Sequence, residues 1–285
     1  MAGAWHTGRR LSSVRMGGRE AVEELLGGSV NRVVRAGDTV RRLTGPWTPA
    51  VHALLAHLAE RGFTGAPRAH GVDEQGREIL DHVPGEVPDY PLPAWALADD
   101  VLAGVARLLH DFHDATAGFP MDLGLTWYFP PVSPSEVICH GDVAPYNCVF
   151  RDGRPVAFID FDTAHPGPRV WDVAYAAYRF VPLSDPLQMD GPPVDGQARR
   201  LRLFADAYGL DPAGRDALID TARARLAHLV RHMREQAAAG HPGFASHLER
   251  GDDRFYLTDD EHLARHHDTF SRALRARPQD ASPPR

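Results

Sequence analysis

Three oxygen-bearing side chains lie close together in the stretch VICHGDVAPYNCVFRDGRPVAFIDFD, residues 137–162: Asp142, Asn147 and Asp160. Carboxylate and amide oxygens are hard ligands, of the kind that hold Mg²⁺ in company with phosphates and water. Phosphoryl transfer needs such a set, because its charge-dominated transition state calls for positioning and a divalent cation more than for covalent chemistry. Asn147 and Asp160 suit the cation. Asp142, left free of it, is suited to orient an acceptor hydroxyl and take its proton late in the reaction.

The local elements are expected to bring these residues together. An apolar run ends at His140, a loop follows, and two further apolar runs are joined by Asp152-Gly153. An Asp-Gly pair between such runs is a strong hairpin signal, since both central positions of the tight turn tolerate positive φ. The hairpin would carry Asn147 at one mouth and Asp160 at the other, on the side of the loop bearing Asp142. Either aspartate alone reads as a turn cap; it is their ordered combination with the hairpin that points to chemistry.

The order H-G-D-x-x-x-x-N followed by I-D-F-D resembles the catalytic loop and metal-binding segment of the aminoglycoside phosphotransferase and choline kinase group, relatives of the protein kinases. The resemblance implies Asp142 as the catalytic aspartate, with His140 and Gly141 shaping its loop, and Asn147 and Asp160 as ligands of Mg²⁺. It implies ATP or GTP as co-substrate. Trp171-Asp172 is similar to a segment of that family whose aspartate braces the catalytic loop. The fold class expected is α+β, a bilobal protein-kinase-like fold with a small β-rich N-lobe and a larger, mainly helical C-lobe.

Around the island 137–164 the chain is expected to organise as follows. Residues 1–18 read as a loose arm. Residues 19–83 are strand-rich with one helix and form the nucleotide-binding N-lobe. There, 25–43 offers two β-branched runs joined by Ala36-Gly37-Asp38. Thr48-Pro49 then caps a helix carrying Val51, Leu54, Leu55 and Leu58, which closes at Gly62. Segments 66–71 and 77–83 flank a turn as a second antiparallel pair. The proline-rich stretch 84–93 is a connector and the domain boundary. The C-lobe, 94–275, begins with an apolar stripe from Leu97 to Phe112. Further amphipathic stretches follow near 197–208, 213–238 and 259–277, and 183–275 would bind the acceptor. The tail 276–285 is expected to be disordered.

On the nucleotide side, Leu26-Gly27-Gly28-Ser29-Val30-Asn31 resembles the family's phosphate-covering turn, where Gly27, Gly28 and Ser29 would let backbone amides approach the phosphates. Asp81, His82 and Val83 match its adenine-contacting hinge, mostly through backbone groups. Kinase-like folds also place a lysine on a central strand, paired with a glutamate on the following helix. This chain has no lysine, so all 31 of its Lys and Arg positions are arginine. The strand TVRRL offers Arg42, which shares a face with Val40, or else Arg41. The next helix has His52, and a glutamate only at its far end, Glu60. An arginine fork is not geometrically equivalent to an ammonium.

The acceptor is expected to be small, since Asp160 and Asp172 stand too close for a long peptide-docking segment. Asp162, Asp252, Asp253, Asp259, Asp260 and Glu261 are candidates to hold ammonium groups of an aminoglycoside-like acceptor, although acids at a helix start also follow from the helix dipole. Sixteen histidines, among them His110, His113, His266 and His267, show no coherent metal-ligand spacing. Cys139 and Cys148 are too few for a disulfide framework. A formal charge of -7 over 285 residues argues against nucleic-acid binding. No apolar run of about 18 residues points to a membrane, and a cytoplasmic monomer or homodimer is the default expectation. Two functions follow: a small-molecule O-phosphotransferase, or a catalytically inactive protein of the same fold that sequesters a small molecule or toxin.

Overall fold

The structure, a computed structural model, describes residues 12–13, 22–25, 33–121, 123–188 and 191–276. Six strands form one antiparallel sheet: β1 Ser12–Ser13, β2 Val22–Leu25, β3 Val33–Ala36, β4 Thr39–Leu43, β5 Ala69–Val72 and β6 Arg77–Asp81. Their order is β1-β2-β3-β4-β6-β5. Ser12–Ser13 falls within the expected loose arm, where it pairs with β2; the tail from 277 lies outside the described residues. Helix α1, Thr48–Glu60, starts one residue earlier than its Thr-Pro signal implies, with Trp47 at the cap. Thr48 Oγ1 instead accepts the Gly45 N–H at 2.9 Å. Its apolar stripe, Val51, Leu54, Leu55 and Leu58, is buried.

By contacts the chain divides into two compact units. Of the described residues, the first holds 12–96 and 111–169, and the second holds 97–110 and 170–276. Helix α2, Asp99–Thr116, contributes to both. The first unit also contains β7 Val137–Cys139, β8 Cys148–Arg151, β9 Arg154–Phe158 and β10 His165–Gly167. β8 pairs with β9 and β7 with β10, both antiparallel. Asp152 and Gly153 take φ of 50° and 71° at the hairpin tip, as the Asp-Gly signal predicts.

Beneath the island lies Phe112, fully buried, with the rings of Phe63, Phe158, Phe161 and His140 at 5.8–6.4 Å. Burying such a side chain stabilises by about 1.5–3 kcal/mol. The connector 84–93 is tied to the hairpin, because Glu86 and Phe150 exchange two backbone hydrogen bonds of 2.8 Å. Gly85 permits this approach: its φ is +154°, and a Cβ there would collide with Val149 and the Phe150 carbonyl.

The second unit is helical: α3 Arg169–Phe180, α4 Val194–Tyr208, α5 Pro212–Ala238, α6 Pro242–Arg250, α7 Asp252–Arg265 and α8 His267–Arg275. Every residue of α3 from Asp172 to Phe180 is buried, the polar Asp172 and Arg179 among them. The stretch read as one helix from 259 begins earlier, at Asp252, and breaks at His266, where φ is -107° and ψ 12°. No helix among the described residues is long and apolar enough to cross a membrane.

Asp259 on α7 is fully buried. Tyr178 O–H donates to its Oδ2 at 2.6 Å, and Asp185 N–H and Gln188 Nε2 donate to Oδ1 at 2.8 and 3.0 Å. Burial nevertheless pushes its carboxyl above the usual range, against the opposing pull of these bonds. The folded chain therefore binds this proton more tightly than the unfolded chain does. Stability should fall as pH rises from about 4 through the folded pKa and be level above it. Asparagine at 259 can accept from Asp185 and Gln188 and donate to the Tyr178 oxygen, so Asp259→Asn is expected to fold and to flatten this pH dependence, which urea midpoints measured across the acid range would check.

Candidate active site

The site residues of the island are placed by short backbone contacts. β7 ends at Cys139 and is followed by His140, whose Nε2 lies 3.0 Å from the Ile159 carbonyl. A carbonyl only accepts, so Nε2 carries the proton and Nδ1 is left to accept the Asp142 N–H at 3.3 Å. Thr163 Oγ1 donates to the His140 carbonyl at 3.2 Å. His140, fully buried, thus joins the loop to the segment Ile159–Thr163 and holds Asp142 through the backbone.

Between His140 and Asp142 the chain must turn sharply. Gly141 has φ of +85°, and a Cβ on it would run into the Thr163 carbonyl. Gly141→Ala is expected to lower stability by about 1–3 kcal/mol, measured as a urea midpoint shift.

Asp142 is held from two sides. Tyr146 O–H donates to Oδ1 at 3.0 Å and Asn147 Nδ2 to Oδ2 at 2.8 Å. Asn147 Nδ2 also donates to the Asp142 carbonyl at 3.0 Å, which leaves its Oδ1 as a hard oxygen donor. Asn147 closes a single 3₁₀ turn, Pro145–Asn147, and its own carbonyl accepts the Ile159 N–H at 2.9 Å. The structure therefore joins Asp142 and Asn147 directly, and joins both to the residue preceding Asp160.

Asp160 sits in the left-handed region, φ 66° and ψ 67°, a conformation unusual for a residue other than glycine and frequent at functional sites. Its side chain is 51% exposed, and its Oδ1 accepts from Arg42 Nη1 at 2.6 Å. Arg42, on β4, is itself buried. Nη2 donates to Asp162 Oδ1 at 2.6 Å and Nε to Glu78 Oε1 at 2.5 Å. The other Glu78 oxygen lies 2.9 Å from His52 Nε2. Burial works against the Arg42 charge, but Asp160, Asp162 and Glu78 outweigh it and hold the guanidinium pKa above its usual value. Burial pushes the Asp162 carboxyl up to about 6; Arg42 pulls it down, while the charges of Asp160 and Glu78 add to the rise.

Three carboxylates thus surround one guanidinium. The oxygens of Asn147 and Asp160 fit a hard divalent cation, and two positive charges would balance this acidic excess. Among the described residues no three His, Cys, Asp or Glu side chains group as a metal site, so phosphate and water oxygens would complete the ligand set.

The other predicted residues fall as follows. Gly27, Gly28 and Ser29 lie outside the described residues. At the expected hinge, the Asp81 N–H donates to Arg68 O at 3.0 Å and the His82 N–H to Asp38 O at 2.8 Å. The Asp81 carboxylate contacts His70 at 2.7 Å. With Val83 these residues border a cavity of about 320 Å³ that Leu55, Leu58 and Phe63 also line. Arg41, the alternative to Arg42, donates to Thr39 Oγ1 at 2.7 Å. Asp172 is buried in the first turn of α3.

The acidic candidates of the second unit are engaged within it. Asp252 meets His247 and Arg250 at 2.6 and 3.0 Å, Asp253 meets Arg234 at 2.7 Å, and Asp260 meets Arg223 at 2.8 Å. Asp259 is enclosed as described above, and Glu261 is exposed. Two site residues escaped the sequence reading, Glu78 and Tyr146. Glu78 stands directly opposite Arg42 in the β4/β6 register, and aligning TVRRL antiparallel to REILD was the one signal that could have found it.

Residues 125–218, which include Asp142, Asn147, Asp160 and Asp172, match the model of a family described as the phosphotransferase enzyme family. A trifolitoxin immunity protein of Rhizobium leguminosarum bv. trifolii is 33% identical over 223 residues, covering 75% of this chain and 84% of that one. The chain belongs to the phosphotransferase enzyme family. Solved structures with 16–18% identity share its kinase-like fold. One is a choline/ethanolamine kinase family protein from Mesorhizobium loti, with a TM-score of 0.56 over 89% of this chain and 90% of that one. Another is a GDP complex of a mutant aminoglycoside 2'-phosphotransferase IIIa, with a TM-score of 0.57 over 88% and 94%. In this phosphotransferase-family chain the motif carrying Asp142 and Asn147 and the strand carrying Arg42 belong to the same compact unit.

Proposed function

We propose that the chain transfers the terminal phosphoryl group of ATP or GTP to a hydroxyl of a small molecule, an antibiotic or toxin being the acceptor class that its relatives suggest. The observation that carries this is the Asp142 carboxylate, held by Tyr146 and Asn147 and tied through the Asn147–Ile159 backbone bond to the residue before Asp160. Asp142 orients the acceptor hydroxyl and takes its proton as the new bond to phosphorus forms. Asn147 and Asp160 would hold Mg²⁺, which when bound neutralises charge on the phosphate oxygens. Arg42 presents its remaining N–H groups to the phosphates. The supply of nucleoside triphosphate makes the cytoplasm the natural compartment, where the buried Cys139 and Cys148 stay as thiols.

A second reading is binding without transfer, by which a toxin or small molecule is sequestered. It draws on the name of the immunity-protein relative and on the absence of lysine at the phosphate-gripping position. Acceptor-dependent ADP formation, screened over aminoglycosides, macrolides, choline, homoserine and sugars, tests the first reading. A thermal-shift titration with Mg-ATP accompanies it, with about 2.7 kcal/mol of stabilisation expected at a hundredfold excess over Kd. Absence of both ADP and a shift would end the nucleotide reading and favour sequestration, whereas a shift accompanied by ADP would carry the first reading.

A further inference from the structure

We propose that Glu78 on β6, and no residue of α1, aims Arg42 at the nucleotide phosphates, so that the phosphate-gripping ion pair of this chain is built inside one sheet. The inference rests on the nucleotide-binding reading given above. In kinase-like folds the acid that fixes the basic side chain comes from the helix, and pairing then depends on where the helix lies. Here the only acid on α1 is Glu60, its last residue, which is exposed. The acid comes from the neighbouring strand.

The register makes this pairing obligatory. β4 and β6 align Thr39 with Asp81, Val40 with Leu80, Arg41 with Ile79, Arg42 with Glu78 and Leu43 with Arg77. Opposed residues of an antiparallel pair hold their Cβ atoms about 5 Å apart, so the Arg42–Glu78 contact follows from the ladder itself. Side-chain exposure is 7% for Arg42 and 1% for Glu78, so Glu78 is shut off from water while Arg42 keeps a narrow exposed edge.

The hydrogen-bond inventory shows what the pair does. A guanidinium has five N–H donors in a fixed plane. Glu78 takes the one on Nε, while Asp160 and Asp162 take one on each Nη. The plane is thereby fixed at both ends, and one N–H on each Nη remains for phosphate oxygens. Removing the Glu78 charge would leave Nε only a neutral and weaker acceptor, against the pull of the two aspartates on the other edge of the plane. α1 contributes only His52, which lies 2.9 Å from the outer Glu78 oxygen, on the side away from Arg42 Nε.

Calorimetric titration of the full chain with Mg-ATP tests this. Glu78→Gln is expected to weaken binding about tenfold, because a neutral amide acceptor replaces a charged one on Nε. His52→Gln, which alters the helix contact and leaves the strand pair in place, should remain within about threefold of the parent, since it removes no bond to Arg42. In an Arg42→Gln background, Glu78→Gln should cause no further loss, because Glu78 acts only through Arg42; a merely structural role would weaken binding in both backgrounds. The inference is overturned if Glu78→Gln binds like the parent, if His52→Gln weakens binding as much as Glu78→Gln, or if the two losses simply add. A parent protein that binds no Mg-ATP would bring down the nucleotide reading and this inference with it, whereas a parent that binds and a Glu78→Gln that is indifferent would sink this inference alone.

Discussion

Asp142→Asn should reduce phosphoryl transfer by about 10²–10⁴-fold, the range that a positioned general base contributes, while Mg-ATP still binds. Asparagine can keep the geometry of the loop. Its Oδ1 can accept from Asn147, and its amide can donate to the Tyr146 oxygen, which serves as donor or acceptor. What is lost is the basic oxygen that takes the hydroxyl proton. Thermal shift with Mg-ATP should therefore match the parent while acceptor-dependent ADP formation collapses. Turnover at the parental rate would move the proton acceptor to another residue.

The second large effect is on stability. Arg42→Met preserves much of the side-chain length but leaves Glu78, with 1% of its side chain exposed, and Asp162, with 15%, without their counter-charge. Removing one partner of a buried ion pair costs about 3–5 kcal/mol, because the other charge remains buried and uncompensated. Asp160 adds less to this loss, since half of its side chain already meets water. A urea denaturation midpoint would measure the change. The double variant Arg42→Met with Glu78→Gln should recover part of it, because the unpaired buried charge is gone. A fall of less than about 1 kcal/mol would mean that water or rearrangement compensates the acids and that the network is weaker than its distances imply.

The island was legible in the sequence because its information is local. Asp152-Gly153 specifies the turn, the turn sets the hairpin, and Asn147 and Asp160 follow at its two mouths. Helices were legible where one face is apolar, as in α1 and α2. They were not where a helix ends without glycine or proline, as at His266. Glu78 was missed because its contact with Arg42 spans 36 residues of sequence and depends on strand register, which neither strand encodes alone.

The sequence by itself determined which atoms could do chemistry and the short loop that presents them: Asp142, Asn147 and Asp160, a glycine that lets the loop turn, and arginine as the sole strong base. Only the tertiary structure decided which charges are already engaged. It set Glu78, Asp160 and Asp162 around Arg42, and it gave Asp252, Asp253 and Asp260 to arginines and a histidine and Asp259 to a buried tyrosine. The physical reason is that an ionised group acts on a ligand only to the extent that its neighbours leave it unneutralised, and those neighbours are chosen by packing across long stretches of chain.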